Sequence, residues 1–527
     1  ETYNETLSNG YLTAPVGATA VNIPVWNNEI DNEVYILNKE HIYEDLVCTS
    51  CGYEVPFTVM NVQYDDHINV SNKEVSFVDT DNTILTLNDD YLVATNIGQT
   101  KVYIDNELYL FVVDKAKINL VTIMGQSNAG NHFENSTSDI TCPIGTAYWW
   151  GNGQGINAKE PVDYTIPSMG FHTPLLAELY AQSVADDNPI KNVLIWQEGI
   201  TSKNGKSITA WASSTTNTSG TNATATMISN CVKYYTDNSD KFEIVGNGIY
   251  WLQGESDVTM NHEVYTSLFM AMWSKLKNAG AEYVAFLRVR KGTTYNEVGS
   301  AHKDLDYHGS LTAQLKMIND NSDMFLATSI TENWIGEADA VHSVNINEYL
   351  TMIETYGDNT TFTDKYSNDA TITNGVLTTT MKTLYGSNNR CHYGKFGAAI
   401  IGCDSAKNMY NALYKSKLEI LMADTSGSVQ NQKILDLENN NELALSELTN
   451  NLAFRANCGS CKGILEIKVY DGEIEITDQV ISKDLNTYGT VDIVQLRNYL
   501  NINIYLNYYI NNNLNESVNV TIINDLL

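Results

Sequence analysis

Ser127 stands in the run Ile123-Met-Gly-Gln-Ser-Asn-Ala-Gly130, where an apolar segment ends and small residues turn the chain. A serine at the carboxyl end of a parallel strand faces the crevice where open α/β sheets bind ligands, a position suited to a nucleophile. The segment differs from the G-x-S-x-G nucleophile elbow because position 129 is Ala, and taken alone it also fits an ordinary Gly/Ser turn. A nucleophilic serine needs a base, and the base needs an orienting acid. Two histidines compete for the first role. His342 lies in Asp339-Ala-Val-His342, and His392 in Asn389-Arg-Cys-His392-Tyr-Gly-Lys-Phe-Gly397. His392 opens an apolar helix whose small residues at 394, 397, 398, 399 and 402 allow close packing on a sheet, so it is the better placed. The remaining histidines read as surface or structural. For the acid, Tyr250-Trp-Leu-Gln-Gly-Glu-Ser-Asp257 follows another apolar run, so Gln253 and Glu255 emerge at the same sheet edge as Ser127. By itself Glu255 also fits a carboxylate placed at a helix N-terminus, where the helix dipole favours it.

The elements that must position these residues fall into three textures. Residues 1–117 read as short alternating runs between Asn/Asp/Gly turns, among them Val75-Ser-Phe, Ile84-Leu-Thr-Leu, Tyr91-Leu-Val-Ala, Lys101-Val-Tyr-Ile and Leu108-Tyr-Leu-Phe-Val-Val, the pattern of an all-β sandwich. Residues 118–423 alternate apolar strands with helical runs, which predicts an α/β domain with a parallel sheet covered on both faces. Residues 424–527 return to strand-like runs such as Gly463-Ile-Leu-Glu-Ile-Lys-Val-Tyr and Ser517-Val-Asn-Val-Thr-Ile-Ile, a second β-sandwich. Its tyrosines, including Tyr499, Tyr505, Tyr508 and Tyr509, fit either a sugar-stacking face or ordinary core and cross-strand packing.

Composition narrows the partners. The chain of 527 residues carries 31 Lys and Arg against 63 Asp and Glu, a formal charge of −32, which argues against nucleic acid and against an anionic membrane surface. No stretch of about 18 consecutive apolar residues occurs, so no transmembrane helix is expected. Eight cysteines are too few for a disulfide scaffold of this size. The pairs Cys48/Cys51 and Cys458/Cys461 lie too far apart in sequence for one shared zinc site, and local or inter-loop disulfides are expected if the protein is exported. The sequence starts at Glu1 without Met, which fits either a trimmed leader or a shortened chain.

GQSN at 125–128, W-x-QGE-x-D at 251–257 and the HYGKFG helix start at 392–397 together resemble the GQSN branch of the SGNH hydrolases, which holds sialate O-acetylesterases and acetyl xylan esterases. Gly170 in Pro167-Ser-Met-Gly-Phe and the segment Gly205-Lys-Ser-Ile-Thr-Ala-Trp211 are similar to two further blocks of that family. The segment 75–104 resembles a bacterial Ig-like domain of the group 2 type. These likenesses imply a flavodoxin-like SGNH three-layer α/β/α domain flanked by two β-sandwich domains. They imply Ser127 as nucleophile, His392 as general base and acid, and an oxyanion hole from the Ser127 and Gly170 backbone N–H groups and the Gln253 side chain, with Asn128 and Trp211 at the substrate. The departure is at Asn389, where many relatives carry Asp three residues before the histidine. Glu255 is therefore the expected orienting acid, with Asp257 behind it, and the literal Asp339-x-x-His342 is the decoy.

The expectation is a secreted or cell-surface serine esterase that removes O-acetyl groups from a glycan of sialate or xylan type, needing no metal or organic cofactor. The flanking β domains are candidates for attachment to a cell surface or glycan. The rival reading is a non-catalytic adhesive or receptor-binding protein that keeps a hydrolase-like scaffold.

Overall fold

The computed structural model describes residues 57–130, 139–164, 170–203, 205–214, 217–290, 308–334, 337–357, 360–363, 369–385, 392–415, 419–424, 432–437, 439, 441–448, 451–457, 464–485, 488–510 and 513–525, with short strand segments at 6–8, 11–13, 43–44 and 47–48. The chain divides into two compact units, 1–114 and 115–527. In the first, four- and three-stranded sheets carry Val70, Leu85, Leu92, Val102, Phe111 and Val113 in one apolar core. Strands at Val75–Phe77, Leu85–Asn88, Tyr91–Ala94, Gly98–Ile104 and Glu107–Asp114 fall on the alternating runs of the sequence.

The second unit is mixed α/β. Its main sheet has seven strands: β1 (Ala116–Gly125), β2 (Ala147–Trp150), β3 (Val162–Asp163), β4 (Lys191–Ile195), β5 (Phe242–Leu252), β6 (Tyr283–Leu287) and β7 (Met324–Thr328). The order is β3-β2-β4-β1-β5-β6-β7, parallel throughout except for β3 at the edge. β1, β4 and β6 are near-continuous apolar runs because a central parallel strand is covered on both faces. Helices α1 (His172–Ala185), α2 (Ile208–Ala212), α3 (Thr221–Asp237), α4 (His262–Asn278), α5 (Gly309–Asp320) and α6 (Lys395–Leu413) join or close the sheet. β1 lies between β4 and β5, so the chain winds outward on one side of it and then on the other. The carboxyl ends of β1 and β5 flank this switch point, where a crevice opens in sheets of this kind.

Gly402 of α6 packs closely against a helix, α1, where packing on a sheet was expected: a Cβ there would lie 2.7 Å from the Phe171 carbonyl oxygen and from Pro174. The strand-helix alternation is interrupted between β7 and α6. There Val341–Asn345, Thr360–Thr363, Asp369–Thr373 and Val376–Thr380 form a separate antiparallel four-stranded sheet that the sequence reading did not anticipate. After α6, two five-stranded sheets share one core that includes Met422, Phe454, Ile467, Ile504 and Val520.

Candidate active site

β1 delivers Ser127 through a tight exit. Gly125 has φ +146°, and a Cβ there would sit 2.0 Å from the Leu252 carbonyl oxygen, so only glycine lets β1 leave beside β5. The Gly125 N–H donates to the Thr201 carbonyl at 3.2 Å, its carbonyl accepts from the Lys203 N–H at 2.9 Å, and the Gln126 N–H donates to the Leu252 carbonyl at 3.2 Å. Ser127–Ala129 then form one 3₁₀ turn.

The turn is clamped from beneath. The Ala129 carbonyl accepts from the Trp196 indole N–H at 3.1 Å and from His172 Nε2 at 3.1 Å. A carbonyl only accepts, so His172 carries its proton on Nε2. Its ring lies edge-on to Phe171 and Trp196, and burial holds the imidazole down at about 3, which keeps it neutral. His172 is therefore a positioning residue for the serine turn and not a base. Ser127 itself is 9% exposed, and its Oγ takes part in no hydrogen bond among the described residues. Catalytic hydrogen bonds are often loose before substrate arrives.

β5 delivers Glu255. Gly254, at φ +151°, turns the chain beside Ser310, and the Asn128 amide donates to Glu255 Oε1 at 2.9 Å, joining the turn after β1 to the turn after β5. Among the described residues, Glu255 Oε2 is buried without a hydrogen-bond partner. Burial raises the Glu255 carboxyl above its ordinary value, while the Asn128 amide and the Arg290 guanidinium pull it partly back. Asp257, two residues on, points elsewhere: its Oδ2 accepts from the Ile208 N–H at 2.8 Å at the start of α2 and from the Gln253 amide.

Two expectations, for Gln253 and Trp211, change here. Gln253 was expected to donate to an oxyanion, but its amide hydrogens go to Asp257 and to the Lys206 carbonyl at 3.3 Å, and its Oε1 accepts from the Tyr265 hydroxyl at 2.8 Å. That side chain knits β5, α2 and α4 together and has no N–H to spare. Trp211, expected at the substrate, is fully buried edge-on against Trp251, 5.6 Å between ring centroids, and is a packing residue. Asn128, expected at the substrate, donates its amide to Glu255.

Gly170 is buried at φ +53°, two residues before α1 begins at His172. His392 is half-buried two residues before Gly394, whose N–H donates to the Leu384 carbonyl at 2.6 Å, while Tyr393 packs against Tyr385 and Trp334. Asn389 lies outside the described residues, as do Cys51, Cys391, Cys458 and Cys461. His342 sits on the separate antiparallel sheet opposite Thr379, and Asp339 pairs with Lys382.

Sequence reasoning missed Arg290. It is 4% exposed, its guanidinium lies 4.3 Å from the centre of the Tyr385 ring, and its charge acts on both Glu255 and Tyr393. The available signal was Arg288-Val-Arg290, two cations directly after the apolar run of β6.

No family model matches the chain, and no curated protein does. Among solved structures, that of NanS is similar to it with a TM-score of 0.32 and 11% identity, covering 56% of this chain and 98% of that one. A likeness at that level carries no argument about chemistry, which rests on the residues themselves.

Proposed function

We propose that the protein is a serine esterase of the SGNH type that removes O-acetyl groups from a glycan. The observation that carries the reading is the junction of the β1 and β5 turns: Asn128 bonded to Glu255, next to Ser127, with the second carboxylate oxygen of Glu255 buried and open to a donor. An imidazole N–H is the donor such an oxygen suits, and His392 supplies it. His392 takes the Ser127 proton as Oγ attacks the acetyl carbonyl. It returns that proton to the departing sugar oxygen, then activates water to release acetate from the acyl-serine. Glu255 fixes the His392 tautomer and stabilises its cation. The backbone N–H groups of Ser127 and Gly170 face the developing oxyanion, where each donor is worth about 10²–10³ in rate.

The GQSN and QGE resemblance supports the substrate class, an acetylated carbohydrate of sialate or xylan type, and export to the cell exterior is proposed with it. The test is acetate release from acetylated xylan, acetylated sialoglycans and p-nitrophenyl acetate. Turnover that disappears in Ser127→Ala and His392→Ala supports the reading. Absence of turnover on every substrate contradicts it and favours the adhesive alternative.

A further inference from the structure

The C-terminal sheets carry a second feature with recognisable chemistry. Strands Ile464–Asp471, Asn501–Ile510 and Asn513–Ile523 pair antiparallel, and the alternation of the pleat sends Ile467, Val469, Ile504, Leu506 and Val520 inward. The opposite set faces out: Glu466, Lys468 and Tyr470 on the first strand, Tyr505, Asn507 and Tyr509 on the second. Of the tyrosines, Tyr508 is therefore core at 1% exposure, whereas Tyr505 is 37% exposed.

An open cleft of about 420 Å³ lies on this outer face, lined by Lys468, Tyr470, Gly472, Glu473, Tyr505 and Asn507. That volume falls in the range of small-molecule sites, about 300–1,000 Å³. The Tyr470 and Tyr505 rings meet nearly at right angles, 5.6 Å apart between centroids, and form an aromatic corner. The polar groups around it are held in place: Asn507 donates to Glu466 at 3.1 Å and accepts from the Ser517 hydroxyl at 2.7 Å, Tyr509 donates to Glu466 at 3.1 Å, and Tyr470 donates to Glu475 at 3.3 Å. Gly472, at φ +60°, turns the hairpin that closes one end.

We propose that this cleft binds a neutral oligosaccharide. A pyranose ring has an apolar C–H face that lies on an aromatic ring and an equatorial rim of hydroxyls that need donors and acceptors together, and this corner supplies both. Charge decides against an anionic glycan. Among the described residues the one cation lining the cleft, Lys468, lies 3.6 Å from Glu466, and Glu473 and Glu475 stand beside it. A chain of formal charge −32 also repels a polyanion before contact. The cleft therefore holds the protein to a neutral carbohydrate without taking part in acyl transfer.

The experiment is calorimetric titration of the full chain with unacetylated xylohexaose and mannohexaose, with 3′-sialyllactose as the charged control. At least one neutral oligosaccharide binds, the double variant Tyr470→Ala/Tyr505→Ala binds it at least tenfold more weakly, Tyr505→Trp retains binding, and turnover of p-nitrophenyl acetate is unchanged in each. Both positions are on the outer face, so an unchanged unfolding midpoint certifies the variants. Absence of heat with both neutral sugars, binding that survives the double variant, or tighter binding of sialyllactose overturns the proposal. None of these outcomes depends on the Ser127 chemistry, which the acetate assay reads separately.

Discussion

Two regions of the second unit each offer an acid to a candidate base histidine, one three residues from it in sequence and the other more than a hundred residues away. On the antiparallel sheet, Asp339 and His342 have the more conventional spacing, yet Asp339 pairs with Lys382 and His342 is held in strand register opposite Thr379. At the carboxyl edge of the main sheet, Ser127 and Glu255 come from strands more than a hundred residues apart, and hydrogen bonds from the Asn128 amide to Glu255 and from the Ser256 N–H to Gln126 join their turns. Proximity in sequence is thus a weak guide to which side chains meet, whereas two parallel strands flanking a switch point place their following loops together by construction.

The comparison can be broken most forcefully at the serine. Ser127→Ala is expected to lower kcat/KM for acetate release at least about 10³-fold, and His392→Ala to match it. Glu255→Gln is expected to cost about 10²–10⁴-fold, since a neutral amide cannot stabilise the imidazolium. It should also raise the unfolding midpoint at pH 7. Burial raises the Glu255 carboxyl in the folded state, so the folded protein holds that proton more tightly than the unfolded chain does. The group's contribution is full below the unfolded value and lost as pH rises through the folded one, leaving a cost at neutral pH that Gln removes. A variant that loses activity without gaining stability argues that Glu255 is only a structural carboxylate.

His172 gives a sharper, smaller effect on stability. Its folded value of about 3 lies below the unfolded 6.5, so its contribution is present above 6.5 and declines as pH falls from there toward 3. Chemical denaturation at pH 7 and pH 5 should show a loss of about 2 kcal/mol attributable to this residue. His172→Gln should flatten that dependence. The smallest effect belongs to the other region: His342→Ala is expected to leave turnover within about twofold, and a larger loss would reverse the assignment of the base.

Much of the scaffold was legible in the residues. The apolar runs of β1, β4, β5 and β6 mark a sheet covered on both faces, and Gly125 and Gly254 mark where the backbone must pass close to a neighbour. The duty of a side chain was less legible, because it depends on partners from other elements. Whether Gln253 has a free N–H is decided by Asp257, Lys206 and Tyr265, and whether Trp211 meets solvent is decided by Trp251. Arg290 and His172 escaped notice for the same reason: nothing near Arg290 in sequence reveals Tyr385 or Glu255, and nothing near His172 reveals the Ala129 carbonyl. The antiparallel sheet between β7 and α6 was hidden because its short Thr- and Val-containing runs follow a segment whose dominant texture is strand and helix in alternation.

The most direct test of the central claim is covalent capture of the nucleophile. The full chain is treated with a fluorophosphonate, and the adduct is located by peptide mass spectrometry beside Ser127→Ala, His392→Ala and His342→Ala. One adduct is expected, on Ser127, that His392→Ala abolishes and His342→Ala leaves unchanged. No adduct, an adduct on another residue, or dependence on His342 in place of His392 would contradict it.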